Sequence, residues 1–135
     1  MKRTPLRRKA LRPKTTRTTR QRTRTSLRNK ADALWSKRVR ERDGSCRRCG
    51  KGPPEVVLQA AHVVPRRYYA VRFDLRNGLA LCLGCHKWQT EFPIQGRRFL
   101  VDAVGPGLFE ELETLAEAPH DKPDYEAILA GLRDA

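Results

Sequence analysis

The chain has 135 residues, enough for one domain and a tail, and its 39% hydrophobic content allows a modest core that a bound metal would help to staple. No apolar run approaches the roughly 20 residues that a bilayer span needs, and no apolar stretch follows the basic N-terminus. These features lead us to expect a cytoplasmic protein without a secretory signal, in which four cysteines read as metal ligands more readily than as disulfides.

The net charge of +14 is unevenly placed. Residues 1–30 hold 13 Lys and Arg and no acid, residues 31–98 hold 14 basic and 6 acidic residues, and residues 99–135 hold 2 basic and 9 acidic ones. A positive field of this size favours nucleic acid or an anionic membrane surface. Residues 1–29 alternate Arg and Lys with Thr, Pro and Leu without a helical or strand period. They read as a disordered basic arm, serving either as a solubilising tail or as a phosphate-binding arm that makes association salt-sensitive.

Residues 30–43 read as a helix, with Ala31, Leu34, Trp35 and Val39 on one face and Gly44 as its C-cap stop. Trp35 is assigned to the core. A turn over 45–52 leads to a Val-rich strand over 55–64, ended by Pro65. A basic-aromatic connection follows over 65–77, then a short strand over 78–82 and one or two helical turns from Cys85 to Phe92, closed by Pro93. Beyond it, residues 97–104, 108–118 and 125–132 read as amphipathic helices, with GPG at 105–107 as a break. This acidic helical extension either packs on the core or docks a protein partner. No internal repeat is visible.

Two cysteine pairs, Cys46-x-x-Cys49 and Cys82-x-x-Cys85, are separated by 32 residues. Each pair can reach one tetrahedral ion from a single tight turn, and two such turns close a four-thiolate site of the structural zinc kind. Gly50 permits the first turn, and Arg47 and Arg48 favour thiolates. Cys82-Leu-Gly-Cys85-His86 is also a c-type haem string, but that chemistry needs export and a distal ligand, and the one Met is the first residue. The segment between the pairs is longer than a plain zinc ribbon needs. It carries His62 near the end of the first strand and Asn77 before the second, while His86 follows the last cysteine. Closing the zinc site should bring His62 and His86 together. A neutral imidazole there can take a proton from water near pH 7, and a divalent metal can stabilise charge on a phosphodiester.

The segments Ala60-Ala61-His62-Val63-Val64-Pro65, Asp74-Leu75-Arg76-Asn77-Gly78-Leu79-Ala80-Leu81-Cys82 and Cys85-His86-x-x-x-Thr90, with Arg42-Asp43-Gly44-x-Cys46-x-x-Cys49 upstream, resemble the HNH, or ββα-metal, endonuclease superfamily. Small phage-type members with a four-cysteine zinc are the nearest in pattern, over about residues 31–93. The resemblance implies an α+β fold: a small ββα-metal core with a zinc knuckle pair, flanking helices and a disordered basic N-terminal arm. It implies a DNA-hydrolysing enzyme that nicks, or cuts both strands as a homodimer, in phage or prophage DNA processing, recombination or packaging within a bacterial host cell.

By position, His62 is implied as general base and Asn77 as holder of the base loop or helper at the metal. His86 is implied as ligand of a catalytic Mg²⁺, Mn²⁺, Ni²⁺ or Zn²⁺. Many members place Asp or His, a second metal ligand, immediately before the base; here that residue is Ala61. Asp74 is then the candidate replacement, or water and phosphate complete the site beside His86, or catalysis is weak and the chain is a non-catalytic DNA-binding protein or adaptor. Arg66, Arg67, Arg72 and Arg76 are read as DNA phosphate contacts or as an ordinary solvated loop, and Tyr68 and Tyr69 as stacking or packing groups. The expected units are the arm over 1–29, a zinc-stapled nuclease domain over 30–95 and the acidic helical extension over 96–135, which is the surface for any packaging or recombination partner.

Overall fold

A computed structural model describes residues 18–135 of the chain. Most of the basic arm, residues 1–17, therefore lies outside the described residues. The remainder of the arm does not match the expectation of disorder. Helix α1 runs over Thr19–Asp43, eleven residues further upstream than the hydrophobic pattern indicates. The cause is local and tertiary. Thr18 and Gln21 form a reciprocal capping box, which satisfies two orphan donors at the helix start. Leu27 packs beside the cluster of Ala31, Trp35, Val39, Tyr125 and Leu129. The helix stops where expected, at Gly44, whose φ of 67° closes the last turn.

Strands β1 (Leu58–His62) and β2 (Gly78–Cys82) pair antiparallel, with Leu58 opposite Cys82 and His62 opposite Gly78. β2 has the predicted bounds, whereas β1 is shorter than the Val-rich run suggests because Val56 and Val57 precede the pairing. Between the strands, the connection contains a four-residue helix α2 (Tyr69–Arg72) and a 3₁₀ turn (Leu75–Asn77). Helix α3 (Leu83–Glu91) follows β2 directly, completing the ββα unit.

α3 ends just before Pro93, as expected, and Pro93 also begins the next helix. Helix α4 (Pro93–Val104) uses it in its first turn, where the missing N–H is one the helix could not have bonded. Helices α5 (Pro106–Glu117) and α6 (Tyr125–Asp134) complete the chain. The three helices share the nuclease core. Leu100, Phe109, Leu112 and Ala116 join Val63, Val64, Val71 and Leu79 in one cluster, while Tyr125, Leu129 and Leu132 join Trp35 and Phe73 in another. Arg38 on α1 donates to the carbonyls of Leu132 and Arg133. No described helix is long and apolar enough to cross a membrane.

Alternation along β1 assigns the site residues to faces. Ala60 packs against the α1 cluster and His62 stacks on Trp35 of α1, whereas Gln59 reaches His86 on α3 and Ala61 packs with Cys85. Gly78, across from His62, needs its missing side chain. A Cβ there would lie 2.6 Å from Trp35 and 2.7 Å from Val39.

Candidate active site and metal centre

The four cysteine sulfurs lie within 4.8 Å of one another, and Cys49 and Cys82 are 3.8 Å apart. A tetrahedral ion with thiolate bonds of about 2.3 Å has edges of about 3.8 Å, so the donor set and its spacing fit a bound metal ion. Each knuckle is tied internally. The Cys49 N–H points at the Cys46 sulfur at 3.5 Å, and the Cys85 N–H at the Cys82 sulfur at 3.4 Å. Burial resists ionisation of Cys46, yet backbone hydrogen bonds around Cys49 and Cys82 outweigh it and bring this thiol down to about 6. Burial pushes the Cys85 thiol up to about 12. Four thiols this close do not all ionise without a cation among them. Of the two arginines expected to support the thiolates, Arg48 does so, 3.5 Å from the Cys85 sulfur and stacked 3.6 Å above Trp88. Arg47 instead pairs with Asp43.

His62 is held by two contacts. Its ring lies parallel to that of Trp35, with centroids 3.9 Å apart and planes 10° from parallel. Trp35 is fixed in turn by its indole N–H, which donates to the Asp74 carbonyl at 2.9 Å. His62 Nε2 lies 3.0 Å from the Arg72 carbonyl. A carbonyl only accepts, so Nε2 carries the proton and Nδ1 keeps the lone pair. Burial lowers the His62 pKa below the usual imidazole value, with nearby Arg72 and Arg66 adding to the effect. The ring is thus neutral near pH 7 in the tautomer that can accept a proton at Nδ1.

Asn77 is fully buried. Its Oδ1 accepts from Val64 N–H at 2.7 Å, and its amide donates to the carbonyls of Val64 and Val71, both at 3.0 Å. It clamps the loop between His62 and Arg72.

Arg72 corrects another expectation. It is 7% exposed and forms a two-pronged pair with Asp32 at 2.7 and 2.8 Å, so it is not a free phosphate contact. Its guanidinium also donates to the Arg66 carbonyl, which anchors the loop to α1. Arg76 is engaged with Asp74 and Glu111, whereas Arg66 and Arg67 are exposed on the loop.

His86 sits on α3 and is oriented from β1. Its Nδ1 is 2.6 Å from Gln59 Oε1, an acceptor, so Nδ1 carries the proton and Nε2 is the nitrogen left for a ligand. Burial lowers its pKa as well. The hydrogen bonds of His62, Asn77 and His86 run to different partners, so the three do not form one hydrogen-bonded cluster. Asp74 does not fill the place of the missing ligand. Its carboxylate accepts from Arg76 N–H in the 3₁₀ turn and grips the Arg76 guanidinium. Among the described residues, the four cysteines are the one group of three or more Cys, His, Asp and Glu side chains that could converge on an ion.

Three contacts are not visible in the sequence pattern: the Trp35 stack, the Asp32–Arg72 pair and the Gln59–His86 bond. Gln59 carries a signal, being a polar residue two positions from Ala61 and hence on the same face of a strand. Asp32 carries a weaker one, lying three residues before Trp35 on the helix.

Residues 46–92 match the family model described as HNH endonuclease. No curated protein and no solved structure matches the chain. The match spans both cysteine pairs, the hairpin and α3, about a third of the chain, and over this segment the chain is similar to the HNH endonuclease family.

Proposed function

We propose that the protein is a metal-dependent endonuclease that hydrolyses DNA phosphodiester bonds with His62 as general base. One observation carries this reading: Nδ1 of a neutral, immobilised His62 is left as the acceptor by a hydrogen bond to the Arg72 carbonyl. Nδ1 takes the proton from an attacking water, and Trp35 keeps the ring from turning away. Asn77 and the Asp32–Arg72 pair hold the loop that presents the Arg72 carbonyl. His86, oriented by Gln59, offers Nε2 to a divalent ion, with water and DNA phosphate as the further ligands. Such an ion supplies charge stabilisation at the scissile phosphate and the leaving oxygen. Arg66 and Arg67 contact neighbouring phosphates.

The four-cysteine ion is zinc in this reading, since four thiolates at tetrahedral spacing are its usual structural set. One such site attacks one strand, so the product is a nick, and a homodimer is needed for a double-strand break. Phage or prophage DNA processing, recombination or packaging in a host cytoplasm is the setting that fits.

Ala61 favours a second reading, a non-catalytic zinc-containing DNA-binding protein of the same fold. It is 1% exposed and offers no ligand beside His86. A supercoiled plasmid incubated with Mg²⁺, Mn²⁺, Ni²⁺ or Zn²⁺ distinguishes the two. Nicking by the wild type, reduced about 10²–10⁴-fold in His62→Ala, supports the enzyme. An inert wild type with every metal supports the second reading, and equal cutting by both proteins removes His62 as the base.

A further inference from the structure

A groove of about 870 Å³ lies between the first half of α1 and the segment leading into α6, with Tyr69 of α2 also lining it. Arg24, Arg28, Lys122 and His120 line it against a single acid, Asp121. Arg28 brings a second, separate observation. Its Nε is buried and has no hydrogen-bond acceptor among the described residues. Asp32, one helical turn further on, is turned to Arg72 instead. The Arg28 side chain as a whole is half-buried, so its shielded Nε is a donor that an anion in the groove would complete. Arg24 is already anchored to the Pro123 carbonyl and lies over the Tyr125 ring, so the groove is built before any ligand arrives.

The groove is joined to the proposed base by one face of α1. Arg28, Asp32 and Trp35 follow at spacings of four and three residues, and Trp35 stacks on His62. Seven residues of α-helix span about 10 Å. Successive phosphates of one DNA strand advance about 3.4 Å along the axis, so this distance corresponds to about three nucleotides.

We propose that the groove lined by Arg24, Arg28 and Lys122 is a phosphate-binding subsite that grips the DNA backbone about three nucleotides from the bond that is cut. This inference rests on the DNA-cutting reading and adds to it the position of a substrate contact. The subsite lies outside the matched segment, so it sets register on the DNA rather than chemistry.

The test uses the full chain and a labelled DNA duplex, with binding followed by anisotropy over a salt series without divalent metal. The double variant Arg24→Gln/Arg28→Gln should give a slope of log affinity on log salt shallower by about 0.9 for each phosphate that is no longer neutralised. His62→Ala should keep the wild-type slope. A second measurement needs no variant. A neutral methylphosphonate is walked along the strand, and one position about three nucleotides from the nick should weaken wild-type binding, with no added loss in the double variant. An unchanged slope in a folded double variant, or a walk with no sensitive position outside the cut, overturns the subsite while leaving cleavage intact. A wild type that nicks no plasmid but shows the shallower slope in the double variant keeps the groove as a DNA contact and removes the cutting. A wild type that binds anionic vesicles but not DNA overturns both.

Discussion

The surroundings of the two histidines are prepared to different degrees. Beside α1, His62 is fixed by a ring stack and a backbone carbonyl, and the loop providing that carbonyl is itself clamped by Asn77 and Arg72. On α3, His86 has one orienting side chain, Gln59. Under the proposed reading the proton acceptor is preorganised by the protein, whereas a metal at His86 would take its further ligands from solvent and substrate. The cysteine cluster at the end of the same hairpin shows what a complete protein-made site looks like here, with four donors within 4.8 Å.

The largest effect should come from breaking the complete site. Structural zinc sites of this type contribute apparent binding energies of about 10–16 kcal/mol, as large as the whole stability of a typical domain. Cys82→Ser, or chelation of the metal, should therefore unfold the hairpin, seen as loss of far-ultraviolet structure together with release of one zinc per chain. Retention of the wild-type spectrum after complete metal release would mean that the apolar clusters suffice.

On the α1 face, Asn77→Ala leaves buried Val64 and Val71 backbone groups without their partner. At about 1–3 kcal/mol for each unsatisfied group, a loss of about 3 kcal/mol is expected in a urea titration, with slower nicking by the folded fraction. A variant with wild-type stability would show that the loop holds itself. On the α3 face, Ala61→Asp tests the incomplete site by supplying the carboxylate. The apo protein should lose stability, since a charge is placed at a 1% exposed position, and added Mn²⁺ should restore it. Tightening of Mn²⁺ by about tenfold, or ~1.4 kcal/mol, is expected by isothermal titration. An unchanged affinity would place the ion away from Ala61 and His86.

The features legible from sequence are those encoded by local spacing. The cysteine pairs, the bounds of β2, the Gly44 stop and the ββα order follow from residues a few positions apart. The contacts that define the base do not. Arg72 looks like a phosphate contact until Asp32, forty residues earlier, is seen to bury it. The start of α1 is hidden in a basic run because its helical support includes α6, at the far end of the chain. Pro93 reads as a stop because Pro ends helices, yet it serves equally well in a first turn. The sequence places His62 and His86 on neighbouring elements across the strand pair, but it does not reveal the partners that orient each ring, Trp35 and Gln59.

The central claim, a neutral His62 acting as base, is tested most directly by the pH dependence of nicking. Single-turnover rates should be measured under saturating metal for the wild type and His62→Ala. Burial lowers the His62 pKa, so the base stays deprotonated below the usual imidazole value of about 6.5 and protonates only at more acidic pH. The wild-type rate should therefore be flat through neutrality and fall with acid along a limb centred below about 6.5, and His62→Ala should be slow and lack that limb. A wild-type limb that persists unchanged in His62→Ala would contradict the account and assign the proton transfer to another group.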